Sequence, residues 1–173
     1  MTKRDDIAGA AVAVFARHGF AHTSMDLIAQ AAGVSRPALY QYFRNKHDVF
    51  AAVAECVTGR IVRAAERARD TEGPLADRVH GVLLVKLAAA GTGGAAFPHE
   101  LVVQAAAMGL PPADDELVYL LAQLLAGTPE PMETAAVLLA STVGIARSDG
   151  GPEVLHRRLR RLVDLVIGGL TVR

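Results

Sequence analysis

The sequence has no tryptophan, five phenylalanines and three tyrosines in 173 residues, so a buried core must be built mainly from alanine, leucine and valine. Cys56 is the only cysteine. No intramolecular disulfide can form and no thiolate metal cage can be built, which fits a reducing cytosol. Net charge is missing too: 18 Lys and Arg balance 18 Asp and Glu, which excludes a strongly basic coat. The longest apolar run, Ala135 to Ala146, is too short to span a bilayer and holds Ser141, Thr142 and Gly144. The opening residues, Met1 to Asp6, lack the apolar stretch of a signal peptide. A soluble, cytoplasmic protein is expected.

What is present points to a folded chain. Apolar residues make up 51% and charged residues 21%, a balance that excludes disorder and allows a sizeable core. The charge is unevenly placed. Residues 1–47 carry Lys3, Arg4, Arg17, Arg36, Arg44 and Lys46 against Asp5, Asp6 and Asp26, a net +3. Residues 74–146 carry Arg78 and Lys86 against seven acidic residues, a net −5. A basic head therefore precedes an acidic body.

Helical period dominates and no strand alternation persists. Ile7, Ala11 and Phe15 recur every fourth residue, and Gly19 is expected to stop that helix. Thr23 with Asp26 reads as a capping-box variant opening a second helix that ends at Gly33. Ser35 is placed to cap a third, with Pro37 tolerated in its first turn. Asn45 with Asp48 opens a long fourth helix over Lys46 to Arg69. Further helices are expected over Leu75–Ala90 and His99–Met108, from Asp114 toward Gly127, over Met132–Arg147 and over Glu153–Leu170. Gly91-Thr92-Gly93-Gly94 reads as a linker, because it lacks the Lys-Ser/Thr of a phosphate-binding loop. The expected fold is all-α: a three-helix helix-turn-helix head over residues 1–47, then a larger helical body over residues 48–173.

Chemistry concentrates between Thr23 and Lys46. Two short helices meet at Gly33-Val34-Ser35, the pattern of a helix-turn-helix. Leu39 and Phe43, one turn apart, face a small core with Ile28, Ala29 and Val34. The opposite face shows Arg36, Pro37, Tyr40, Gln41 and Arg44. Arg and Gln can bond guanine and adenine edges bidentately, whereas Pro37 and Ala38 offer only apolar contact, as against a thymine methyl. Thr23, Ser24, Tyr40, Tyr42 and Lys46 are donors suited to phosphates.

The run Gly19-Phe20, Thr23-Ser24, Ile28-Ala29, Ala32-Gly33-Val34-Ser35, Leu39-Tyr40, Tyr42-Phe43 and Lys46 resembles the DNA-binding head of TetR-type (tetracycline-repressor-like) transcriptional regulators. The resemblance covers roughly the first quarter of the chain. It implies a homodimer whose first three helices and the start of the fourth bind a palindromic operator in double-stranded DNA; the candidate contacts are Thr23, Ser24, Ser35, Arg36, Pro37, Ala38, Tyr40, Gln41, Tyr42 and Lys46. It also implies a ligand pocket in the body and dimer contacts from the last two helices. Apolar stripes there suit such contacts: Ala135, Leu138, Leu139, Thr142 and Val143 on one helix, and Leu159, Leu162, Val163, Val166, Ile167 and Leu170 on the other.

Leu84, Leu87, Leu101, Met108, Tyr119, Leu120, Gln123 and Leu124 are the candidate pocket lining. With so few polar groups, a hydrophobic or aromatic effector is favoured over a sugar or nucleotide. No metal and no cofactor are expected: Gly19 breaks the helix between His18 and His22, which spoils their metal-pair spacing. Cys56 reads as a small apolar residue, and the arginines of the His156 to Arg161 run as the wet face of the last helix. No catalytic set stands at a motif spacing, so an enzyme is not expected. The leading reading is a homodimeric repressor released by a small apolar ligand. Its rivals are a ligand-independent dimeric regulator and a helical carrier or adaptor of apolar molecules that never touches DNA.

Overall fold

The structure, a computed structural model, describes residues 2–90 and 98–171. Every regular element among them is a helix: α1 (Lys3–His22), α2 (Met25–Ala31), α3 (Arg36–Tyr40), α4 (Lys46–Arg69), α5 (Leu75–Ala90), α6 (His99–Ala107), α7 (Asp114–Leu124), α8 (Pro131–Ala146) and α9 (Pro152–Thr171). The all-α expectation holds, and each expected helix is present within a few residues of its expected ends. The glycine-rich linker Gly91-Thr92-Gly93-Gly94 lies outside the described residues.

The chain forms two compact units. The first takes residues 2–60 and 98–112, so α6 is grouped with α1, α2, α3 and the first part of α4. The second takes residues 61–90 and 113–171 and holds the rest of α4 with α5, α7, α8 and α9.

In the first unit, Ile7, Ala11 and Phe15 of α1 are buried together with Ile28, Leu39, Phe43, Val49, Phe50, Val53 and Leu101. Each large apolar side chain buried in this way contributes about 1.5–3 kcal/mol. Four of the chain's five phenylalanines sit in or beside this cluster. Phe50 meets Phe15 and Phe20 edge-on, each with ring centroids 5.1 Å apart. Thr2 caps α1, accepting from the Asp5 amide while Asp5 accepts from the Thr2 amide at 2.7 Å. That backbone hydrogen bond, above all, lowers the Asp5 pKa.

The second unit buries Val79, Val82, Leu83 and Leu87 of α5 against Leu117 and Leu121 of α7, Leu138 and Leu139 of α8, and Leu159, Val163 and Ile167 of α9. Here the α8 stripe is used differently from the expectation. Ala135, Leu138, Leu139 and Thr142 face this unit's own core, and the buried Thr142 hydroxyl donates to the Leu138 carbonyl at 2.8 Å. The α9 stripe does the same, with Leu162, Val166 and Leu170 packed at its edge. A stripe removes the same apolar area from water whether its partner is in the same chain or another, so periodicity cannot tell the two apart. Arg157, Arg158 and Arg161 are exposed, as a solvated helix face requires.

One side-chain polar atom in this unit is buried without a partner among the described residues, Nε2 of His80 on α5. Its surroundings are Asp77 on α5 and His156, Arg160 and Asp164 on α9. Burial chiefly, then the charges of Arg160 and His156, push its pKa below the ordinary 6.5, against the opposing pull of Asp164 and Asp77. The folded chain thus prefers neutral His80, and the unfolded chain takes up the proton first as pH falls. Stability from this group is complete above the unfolded pKa and is lost as pH drops below it. Chemical denaturation across about pH 7.5 to 5 is expected to show a steeper stability loss for the wild type than for His80→Gln. Equal slopes would rule out this origin.

Candidate nucleic-acid interface

The first unit builds α2 and α3 from local rules. Ser24 caps α2, its Oγ accepting from the Leu27 amide at 3.2 Å. Thr23, expected to be that cap, is instead buried, and its hydroxyl donates to the Gly19 carbonyl at 2.7 Å. The chain at Gly19 has φ +68, a break in helical backbone inside α1, so the glycine acts where expected although helix resumes as far as His22. Thr23 lies four residues on and ties off the carbonyl which that break exposes.

The turn between α2 and α3 is a Schellman motif. Val34 N–H donates to the Ala29 carbonyl at 3.0 Å and Gly33 N–H to the Gln30 carbonyl at 3.2 Å, with Gly33 at φ +63. Ser35 then caps α3, accepting from the Ala38 amide at 3.3 Å, with Pro37 in the first turn. A five-residue helix cannot hold itself together in water. It is held by Leu39, which is fully buried, and by Phe43 just beyond it.

With Leu39 and Phe43 turned inward, Arg36, Pro37, Tyr40, Gln41, Tyr42 and Arg44 are exposed and Ala38 is half-buried. Tyr40 and Tyr42 keep 45% and 40% of their surface open, unusual for rings in so aromatic-poor a chain. Ser24 and Ser35 are exposed beside them, each hydroxyl already accepting from an amide. Lys46 is engaged differently. Its Nζ donates to the carbonyls of Phe20 at 2.7 Å and Ala21 at 3.1 Å and lies 4.6 Å from the Phe20 ring centroid. A cation at the C-terminal carbonyls of α1 satisfies groups the helix itself cannot. Asn45 caps α4 as its spacing suggests, accepting from the Asp48 amide at 2.9 Å.

Arg36 is engaged as well. Its Nη1 donates to Asp26 Oδ2 at 3.0 Å, and its guanidinium carbon lies over the Tyr40 ring, 5.8 Å from the centroid. Tyr40 first, and Asp26 after it, raise the Arg36 pKa further, so the charge is permanent. Sequence reasoning took Asp26 for a capping residue and missed this pairing, since residues ten apart on different helices carry no periodic signal.

Of the eight residues suggested as a pocket lining, six are divided between two cores and two lie on the surface. Leu87 and Leu120 are buried in the second unit, with Leu84 and Leu124 packed against them. Leu101 is buried in the first unit's core and Met108 packs against it. Tyr119 is 60% exposed, and Gln123 accepts from Arg69 Nη1 at 2.9 Å on the surface. Among the described residues, no group of three or more His, Cys, Asp or Glu stands close enough to hold a metal.

Two capped helices around a Schellman turn, with polar and aromatic side chains on the outer face of the second, define a helix-turn-helix domain. Residues 7–53 match the family model described as bacterial regulatory proteins, tetR family. The HTH-type transcriptional regulator YhgD of Bacillus subtilis is 30% identical over 81 residues, 47% of this chain and 42% of that protein. The HTH-type transcriptional repressor SCO4008 of Streptomyces coelicolor is 48% identical over 46 residues, 27% of this chain and 24% of that one. The matched segments thus span less than half the length of these curated relatives. The crystal structure of SCO4454, a TetR-family transcriptional regulator from Streptomyces coelicolor, shares the fold with a TM-score of 0.74 at 18% identity, over 98% of this chain and 96% of that one. The head is thus similar to the tetR-family DNA-binding domain, and the described residues share the fold of that solved regulator.

The turn gives a direct test. A Cβ at Gly33 would meet nothing within 4 Å, so Gly33→Ala strains only the backbone. It is expected to destabilise the chain by about 1–2 kcal/mol, read as a lower denaturation midpoint with an unchanged slope.

Proposed function

We propose that the chain is a sequence-specific DNA-binding transcriptional regulator, a homodimeric repressor released by a small hydrophobic or aromatic effector. In this reading residues 1–47 bind DNA, and residues 48–173 bind effector and dimerise. The observation that carries it is α3: a helix too short to stand alone, capped and pinned so that Arg36, Tyr40 and Gln41 stay in water. Outward-facing Arg and Gln on a fixed helix are what direct readout in a major groove needs. Arg36 and Gln41 are assigned the base edges, with Pro37 and Ala38 beside them for apolar contact. Ser24, Ser35, Tyr40 and Tyr42 anchor phosphates, with Thr23 and Lys46 serving them indirectly by tying off the last carbonyls of α1. The tetR-family match of the head supports the assignment, and relatives named as regulators favour a regulator over an enzyme or a carrier.

Dimerisation is assigned to the outer face of α8 and α9. With the inner stripes occupied, Val137 and Leu165 remain exposed at 52% and 58%. Ala140 and Gly144, three and seven residues beyond Val137, keep that face of α8 small and open to close approach. A two-fold dimer would present two heads to the halves of a palindrome. The aliphatic second core around Leu84, Leu87, Leu120 and Leu124 favours an apolar effector. A cytoplasmic site fits: no helix among the described residues is long and apolar enough to cross a membrane.

Two measurements decide this. Sedimentation at micromolar concentration should find a dimer for the wild type and a monomer for the double variant Val137→Glu, Leu165→Glu; a monomeric wild type would sink the dimer. Selection from random DNA should enrich a palindromic site. On that site Arg36→Ala should cost about 1–3 kcal/mol and relax preference at one base pair per half-site. Equal losses on operator and scrambled DNA would make Arg36 a phosphate anchor instead.

A further inference from the structure

We propose that Asp26 is a specificity-determining residue, which acts by positioning the Arg36 guanidinium for a base edge. The inference rests on the DNA-binding reading above. Asp26 stands in the first turn of α2, and its carboxylate holds one corner of the Arg36 fork at 3.0 Å while the Tyr40 ring braces the guanidinium. Both partners are well exposed, with 57% and 63% of their side-chain surface open. An ion pair this exposed adds little to folding stability. Its consequence falls on Arg36, a long side chain that would otherwise sample many rotamers and settle on the nearest phosphate.

Two effects follow from the pairing. Bidentate recognition of guanine needs a fixed plane, and a fork held at one corner has lost much of its freedom before DNA arrives. The carboxylate also brings a negative charge to a face that meets phosphates. On non-operator DNA that charge offsets the attraction of Arg36, because the two nearly cancel at a distance. On the operator, the guanine contact restores the balance. Asp26 thus raises discrimination from both sides, by ordering the correct contact and by weakening the default one.

The test is a double-mutant cycle on DNA affinity, using the full-length protein, the selected operator, an operator altered at the Arg36 base pair, and scrambled DNA. Asp26→Asn keeps the shape and removes the charge. It is expected to bind scrambled DNA at least as tightly as the wild type while discrimination at that base pair falls about tenfold. In an Arg36→Ala background, Asp26→Asn should leave discrimination there unchanged, since there is no fork left to position. A melting temperature equal to that of the wild type accompanies this outcome. Additive effects of the two substitutions, or an Asp26→Asn change equal on all three DNAs, would overturn the inference and leave the regulator reading standing. So would a drop in melting temperature with uniformly weaker binding, which would make Asp26 a support of α2 alone. A wild type that selects no site at all would overturn the DNA-binding reading itself.

Discussion

The packing of α1 against the start of α4 is the contact on which the helix-turn-helix depends. Phe50 near the start of α4 meets Phe15 and Phe20 of α1 edge-on, and Lys46 reaches from the first turn of α4 to the carbonyls of Phe20 and Ala21. A chain with so few aromatics concentrates them here, where rings fill the largest volume per residue and hold two helices at one angle. The short α3 has no stability of its own. It inherits its position from Leu39 and Phe43, whose neighbours in the core are already fixed by those rings.

Burial and exposure on α3 are therefore complementary. Each residue turned inward sets the direction of those turned outward, because positions one turn apart share a face and the rest must point away. Leu39 with Phe43 inside puts Arg36, Tyr40 and Gln41 outside. The caps sharpen this: Ser24 and Ser35 fix where each helix begins, and the left-handed residue at Gly33 fixes the angle between them.

The second unit follows a different logic. Its core is aliphatic and draws on α5, α7, α8 and α9, with ion pairs such as Arg160 to Asp77 and Lys86 to Asp114 at its surface. The exposed Arg160 to Asp77 pair adds little to stability, whereas the Lys86 side chain is largely covered where it meets Asp114. Inner faces of α8 and α9 close this core, while their outer faces keep isolated apolar side chains among small ones. The two faces of α8 carry different residues, large apolar ones toward the core and mostly small ones outside.

Residues close in sequence settled most of what the sequence itself determined. The order of helices, their breakers at glycine and proline, the Ser35 and Asn45 caps and the inward pair Leu39 and Phe43 all follow from spacings of three or four residues. Helix period and capping are local physics, so a linear reading finds them. Three matters were decided only by tertiary structure. Thr23 and Ser24 are adjacent and chemically alike, and only the packing of Thr23 under Gly19 leaves Ser24 as the cap. Leu101 and Met108 share an apolar character with Leu87 and Leu120, yet they pack in a different core. Asp26 and Arg36 meet because the turn at Gly33 folds α2 and α3 together, which a linear reading of either helix cannot reveal. Apolar burial is non-directional: a sequence shows which residues seek cover, and the fold alone determines which neighbours provide it.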